Sequence, residues 1–119
     1  MNIEFFREYC LKKKGVTEDF PFDETTLVFK VMGKLFALTS LNASPAQCNL
    51  KCDPEYAVEL REKFSSIIAG YHMNKKKWNT VIWDGNVRDK IILELIDHSY
   101  DLVVAGLAKN LREELSKHT

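Results

Sequence analysis

Asp97, His98 and Ser99 are the three residue types of a serine-hydrolase triad, and they stand next to one another in the chain. A triad acts only when its carboxylate, imidazole and hydroxyl converge in space. The apolar spacing around them predicts a helix, in which consecutive side chains point about 100° apart. We therefore do not expect a catalytic unit here. A helix end explains the run, with His98 near the negative terminus and Ser99 capping the next helical segment.

The sequence also contains no recognisable motif for binding a metal ion or a phosphate group. His72, His98 and His118 have no H-x3-H or C-x2-C companion, and the glycines form no phosphate-binding loop. Cys48 and Cys52 share a predicted strand, where four residues of rise separate their Cα atoms by about 13 Å. A disulfide requires less than about 7 Å. We expect no metal and no other cofactor, and we expect the cysteines to be buried small hydrophobes.

The stretch with the clearest binding chemistry is residues 71–80, YHMNKKKWNT, in which three lysines stand between Tyr71 and Trp78. Lysines bind phosphates as point charges without reading sequence, and aromatic rings stack on exposed bases. An acidic protein surface would suit the same residues. The alternative is structural: lysines solubilise a loop and protect a sheet edge, while Trp78 packs on the sheet.

The elements that position these residues follow from apolar spacing, capping residues and turn residues. We predict a helix from Asn2 to about Lys14, an acidic loop over 18–24, a hairpin of strands 25–32 and 35–41, a strand over 47–52, a helix from Asp53-Pro54-Glu55 to about Ser65, a β pair over 67–72 and 77–83, a helical region capped by Asn86 that Ser99 breaks or recaps, and a polar tail over about 109–119 that forms a short or frayed helix.

The first lysine triplet, residues 12–14, has a structural explanation in this scheme. It falls in the last turn of the first predicted helix, and Gly15 comes directly after it. Cations offset the helix dipole at that end, and glycine suits the position after a helix.

The fold class predicted is α+β, as one domain spanning residues 1–119. The element order is α-β3-α-β2-α(α). Such an order favours an antiparallel sheet with its helices packed on one face and its other face at least partly solvated.

Charge and hydropathy narrow the classes further. The 17 basic and 17 acidic residues give a net charge of zero, so a domain built only for tight non-specific nucleic-acid binding is disfavoured unless its charges cluster. No apolar run approaches the roughly 18 to 20 residues that span a bilayer, and the N-terminus lacks the apolar core of a signal peptide. We expect a cytoplasmic protein without membrane contact.

Two segments carry a family resemblance. Residues 70–81, GYHMNKKKWNTV, followed by residues 97–104, DHSYDLVV, closely resemble the MmcQ/YjbR family of small bacterial proteins. Residues 50–55, LKCDPE, resemble its middle strand-to-helix junction, and the match spans essentially the whole chain. The resemblance implies an α-β3-α-β2-α fold like that of frataxin (CyaY) or of type III secretion chaperones.

Members of that family are commonly described as DNA-binding through a double-wing arrangement. Carried onto this chain, the resemblance implies nucleic-acid binding by Asn74, Lys75, Lys76, Lys77 and Trp78, with a second wing that bears Lys30 and Lys34. It does not imply iron binding, because the acids of the predicted first helix are only Glu4 and Glu8.

Three functions stay open from the sequence. The first hypothesis is a non-catalytic DNA-binding protein that uses the lysine-rich β-connection. The alternative is a protein-interaction or chaperone-like domain, with a protein partner or a second copy paired through the sheet. The third is an enzyme with an unfamiliar site around His72, Asp97 or Tyr100.

Overall fold

Four helices and a six-stranded antiparallel sheet are formed by the described part of the computed structural model, residues 1–71 and 73–118. The elements are α1 Ile3–Leu11, β1 Val16–Asp19, β2 Thr26–Val31, β3 Lys34–Ser40, β4 Gln47–Lys51, α2 Pro54–Lys63, β5 Ile67–Ala69, β6 Trp78–Ile82, α3 Asp89–Ala105 and α4 Lys109–Ser116. The α+β class and the antiparallel sheet of a single domain are confirmed.

The strands lie in the order β1-β2-β3-β4-β6-β5. The predicted hairpin is β2 and β3, which turn at Met32 and Gly33 with φ angles of 49° and 82°. Two consecutive positive φ angles suit the right-handed twist of a tight hairpin, and glycine adopts one without strain. A bulge between Phe29 and Lys30 lets Phe36 and Ala37 of β3 both reach the helix-covered core.

Strand β1 was not predicted, because its acidic residues resemble a loop. It pairs with β2 along its whole length, from Val16 opposite Val31 to Asp19 opposite Val28. Glu18 is bound by Arg7 of α1 at 2.7 Å. A short, charged strand is a common way to protect a sheet edge. With β1 included, four strands rather than three lie between α1 and α2.

Helix α1 begins as predicted, with the Asn2 side chain accepting from the Phe5 backbone N–H at 2.9 Å. It ends at Leu11, earlier than Lys14. Gly15 adopts a φ of 71° beside Leu115 and Met32, leading into β1. The placement of the first lysine triplet in the last helical turn is therefore wrong.

Helix α3 also differs from its prediction. Asn86 does not cap it, because the Asn86 side chain accepts from the Ser66 backbone N–H at 3.2 Å and the helix begins at Asp89. The helix runs unbroken through Ser99 to Ala105, and the chain turns at Gly106 instead. The predicted helix in the polar tail exists as α4, which buries Leu115.

The second β pair is shorter than predicted. Strand β5 ends at Ala69, and β6 covers Trp78 to Ile82. Of the other residues predicted for this strand, Gly70 and Tyr71 lie beyond its end and His72 lies outside the described residues. Helix α2 matches its start signal, since the Asp53 side chain accepts from the Tyr56 backbone N–H at 3.2 Å.

One face of the sheet carries the main core. Residues from all four helices join sheet residues in a single buried cluster, for example Phe6 of α1, whose ring lies edge-on to Phe29 at 5.7 Å. Ser99 of α3 ties the layers together by donating to the Phe36 carbonyl and accepting from the Lys51 N–H at 2.9 Å. Helices on one face are thus confirmed, and the opposite face of the sheet carries no helix among the described residues. No helix in residues 1–71 and 73–118 is long and apolar enough to cross a membrane.

Candidate nucleic-acid interface

The connection between β5 and β6, of which residues 70–71 and 73–77 are described, carries the second lysine triplet on a hydrogen-bonded turn over residues 74–77. The Lys77 N–H donates to the Asn74 carbonyl at 3.0 Å. The Asn74 side chain also accepts from the Lys76 N–H at 3.0 Å, which is the hydrogen bond of an Asx turn. Local hydrogen bonds therefore fix the backbone that presents the lysines.

Gly70 sets the entry to this connection. Its N–H donates to the Trp78 carbonyl at 2.9 Å, and a Cβ at Gly70 would lie 3.1 Å from the Trp78 Cβ. A larger residue would press on β6, so the close approach of the two strands favours glycine here.

Among the described residues of this connection, Asn74, Lys75, Lys76 and Lys77 are exposed. The ion pairs within residues 1–71 and 73–118 do not include these lysines. Their charge is therefore available to an external anion.

Lys34 lies at the same end of the sheet. The β2–β3 turn precedes it, and Lys51 at the end of β4 pairs with Trp78 at the start of β6. The sheet order places the β2–β3 turn three strand spacings from the 70–77 connection, or about 14 Å. We call this the lysine end of the sheet. It also holds Lys12 and Lys14, which are exposed.

Lys30 is placed differently from Lys34. Its Nζ lies 3.6 Å from an Asp19 carboxylate oxygen, and its side chain is only 29% exposed. The β1 strand, which the sequence did not reveal, supplies this partner. Of the two lysines of the proposed second wing, Lys34 is thus the exposed one.

Trp78 is a packed residue. It is 8% exposed and stands opposite Lys51 in the pairing of β6 with β4. A buried ring offers no open face for a stacked base, so the structural explanation for this residue applies. Tyr71, the other flanking aromatic, is 72% exposed.

The opposite end of the sheet carries several acidic residues. The β1–β2 connection lies there with Asp23 and Glu24. Asp84, two residues after the end of β6, lies at the same end. Backbone N–H groups of Thr25 and Thr26 donate to Asp23 and lower its carboxyl pKa. The charges are mixed at both ends, since Lys63, Arg88 and Lys90 lie at the end that holds Asp84 and Asp53 lies near the lysine end.

Asp97, His98 and Ser99 contact three separate sets of partners. Asp97 accepts from Tyr9 and pairs with Lys13. The His98 Nε2 accepts from the Asp53 N–H at 3.1 Å, whereas Ser99 bonds to backbone groups. The three side chains stabilise different junctions and do not converge on one another, as expected from helical geometry.

The cysteines are buried and free. Burial raises the pKa of Cys48 and that of Cys52 to about 12, and it also raises the pKa of Cys10. The thiols therefore stay protonated at neutral pH and pack as small hydrophobes, which confirms that interpretation. Within the described ranges, we find no cluster of three or more histidine, cysteine or acidic residues placed to hold a metal ion.

A groove of about 520 Å³ on the helix-free face was not anticipated from the sequence. Leu38 and Asn49, which pair directly across β3 and β4, form part of its floor. Phe22 from the β1–β2 connection and Met73 from the 70–77 connection form walls. Residues from separate loops build it, so no local sequence signal reveals it.

The model of the family described as YjbR matches residues 11–102 of this chain. The chain belongs to the YjbR family. This confirms the family resemblance carried by the lysine-rich segment, the strand-to-helix junction and the start of the DHSYDLVV run.

Relatives of this YjbR-family protein extend the match to almost the full chain. The YjbR protein of Escherichia coli K12 is 33% identical over 115 residues, covering 97% of this chain and 98% of that protein. The YbdF protein of Escherichia coli O157:H7 is 40% identical over 89 residues, covering 75% of this chain and 73% of its own. Both relatives are described as uncharacterized, so neither supplies an activity.

Solved structures share the fold of this family member. A crystal structure of a Deinococcus radiodurans protein with a DUF419 domain matches with a TM-score of 0.90 and 42% identity, covering 97% of this chain and 88% of that one. A Pseudomonas syringae crystal structure matches with a TM-score of 0.74 and 32% identity, covering 86% and 98%. The likeness to CyaY or to secretion chaperones stays a prediction.

Proposed function

We propose that this YjbR-family protein is a non-catalytic, cytoplasmic DNA-binding protein that holds the phosphate backbone at the lysine end of its sheet. One observation carries the proposal: Lys75, Lys76 and Lys77 are exposed on a hydrogen-bonded turn, at the same end of the sheet as exposed Lys34. Lysines grouped in this way neutralise neighbouring phosphates along a strand.

The charge distribution supports this orientation of the DNA. The carboxylates of Asp23 and Asp84 at the opposite end would repel phosphates locally, and the grouped lysines at the lysine end would attract them. Local clustering of lysines lets a protein of zero net charge bind a polyanion.

Lys30 and Trp78 have smaller roles in this proposal than the resemblance implies. Asp19 already neutralises Lys30, and Trp78 is buried. We assign the contact to Lys34, to the exposed triplet and to Asn74 beside it.

The proposal is tested by fluorescence anisotropy with a short labelled duplex at low salt. Lys75→Ala, Lys76→Ala and Lys77→Ala combined should weaken binding about 10- to 100-fold, because three phosphate contacts are lost. The matched control replaces Lys63, Arg88 and Lys90, which are exposed elsewhere, with alanine and removes the same charge. The proposal is wrong if the wild-type protein binds no DNA at low salt, or if both variants lose the same amount of DNA affinity.

The alternative of a protein-interaction or chaperone-like domain is favoured by a different observation. Ile68 and Tyr71 are exposed at and beyond β5, which is an edge strand. An exposed edge can pair with a second copy or with a protein partner. Light scattering that finds a dimer, together with normal DNA binding by the lysine variant, would favour this alternative over the first proposal.

A further inference from the structure

The groove on the helix-free face has neutral polar groups on its floor and apolar groups on its walls. Gln47 and Asn49 alternate along β4, so their side chains point to the same face of the sheet. Phe22 is 67% exposed, and Met73 is half-buried. A volume of about 520 Å³ is within the range of small-molecule sites, roughly 300 to 1,000 Å³.

The charge of the groove limits its occupant. Of the described residues that line it, Asp23 alone is charged. The Thr25 and Thr26 N–H groups hold that carboxylate and keep its pKa low, so it stays ionised at neutral pH. A phosphate would be repelled from this groove, whereas a neutral group with hydrogen-bond donors would be accepted.

The groove is continuous with the lysine-bearing connection. Met73 forms a groove wall, and Lys75 lies two residues further along the chain, so their Cα atoms are separated by at most about 7 Å. A ligand with a neutral ring beside an anionic group would place the ring in the groove and the anion on the lysines. A nucleotide unit of a single strand has this arrangement, but a base inside a duplex does not expose its face.

We propose that the groove binds an unpaired nucleobase of single-stranded DNA while the lysine triplet holds the adjacent phosphates. Phe22 supplies a stacking face, and the Gln47 amide offers a donor and an acceptor to the base edge. Such amide pairing suits adenine, whose exocyclic amine can also donate to acceptors in the groove. This inference rests on the proposed function, because the phosphate contact is the same one.

The first test uses wild-type protein alone and three labelled probes of equal length: an oligo-deoxyadenylate, an abasic single strand and a duplex. The three differ in base access, whereas the two single strands have the same backbone charge. We expect the oligo-deoxyadenylate to bind at least about fivefold more tightly than the abasic strand, because a stacked base is gained. It should also bind more tightly than the duplex.

The second test locates the preference. Phe22→Ala should reduce oligo-deoxyadenylate binding to the level of the abasic strand and leave the abasic affinity unchanged. Phe20→Ala is the matched control, since Phe20 is 46% exposed on the same connection but does not line the groove. Both residues are exposed, and circular dichroism verifies that the variants stay folded.

The outcomes separate this inference from the proposed function. Equal binding of all three probes, lost on lysine replacement, overturns the groove and retains the DNA-binding proposal. A base preference that survives Phe22→Ala also overturns the groove. Absence of binding to every probe overturns both proposals.

Discussion

The two lysine triplets share a sequence pattern but have different surroundings. In the first, the Lys13 side chain is 18% exposed and pairs with Asp97. Its Nζ lies 5.1 Å from the centre of the Tyr9 ring and 5.1 Å from the centre of the Tyr100 ring. Its neighbour Lys14 accepts, through its carbonyl, a hydrogen bond from Tyr100 at 2.7 Å. The second triplet, residues 75–77, is exposed throughout on a turn.

This difference shows that the partners of a lysine run decide its role. The centre of the first triplet fixes the end of α1 onto α3 by cation–π contacts and an ion pair. The second has no such ties within residues 1–71 and 73–118, so its charge can serve binding. The comparison therefore predicts a stability role for Lys13 of the first triplet and a binding role for the second triplet.

Replacing Lys13 should have the largest effect on stability. Lys13→Ala removes an ion pair and two aromatic contacts, and we expect the free energy of unfolding to fall by about 1–2 kcal/mol. The matched change Lys76→Ala, on the exposed turn, should alter it by less than about 0.5 kcal/mol. Urea denaturation monitored by circular dichroism measures both. Equal changes in the two variants would remove the distinction between the triplets.

A smaller effect on the free energy of unfolding should come from the ionisation of Tyr9 at high pH. Burial, followed by its hydrogen bond to Asp97, raises the pKa of Tyr9 to about 12, above the ordinary value of about 10. The stabilisation by the neutral phenol is therefore complete below about pH 10 and is lost as the pH rises through about 12. The stability difference between wild type and Tyr9→Phe should shrink over that interval.

Ultraviolet absorbance of the phenolate checks the Tyr9 assignment. The absorbance change near pH 12 should lose the contribution of one tyrosine in Tyr9→Phe and keep its full size in Tyr71→Phe, whose side chain is exposed. An absorbance change near pH 12 that keeps its full size in Tyr9→Phe would contradict the packing that we assign to Lys13 and Tyr9.

The sequence predicted those elements whose boundaries are set by turn residues or capping residues within the same segment. The hairpin follows from a glycine-containing turn, and the start of α2 follows from Asp53 and Pro54. Strand β1 was missed because pairing with β2, rather than its own residue types, makes it a strand. The end of α1 was misplaced, and Lys13 beyond that end contacts Asp97, 84 positions away, which no local signal reveals.

The features of the candidate site also separate into those that the sequence predicts and those that depend on tertiary contacts. The exposed triplet was predicted from its residue types, and its turn has a local Asn74 signal. Burial of Trp78 and pairing of Lys30 depend on neighbouring strands, so the sequence left both open. The groove depends on two distant connections that meet over β3 and β4, and no periodicity encodes such a meeting.

The central claim is that residues 75–77 bind phosphates, and the salt dependence of DNA affinity tests it most directly. A plot of the logarithm of the association constant against that of salt concentration should fall steeply for wild type. Because each phosphate contact on a duplex contributes about 0.9 to the slope, triple alanine replacement should reduce its magnitude by about 2 to 3. The Lys63, Arg88 and Lys90 control should keep the wild-type slope. An unchanged slope in the 75–77 variant would contradict the account.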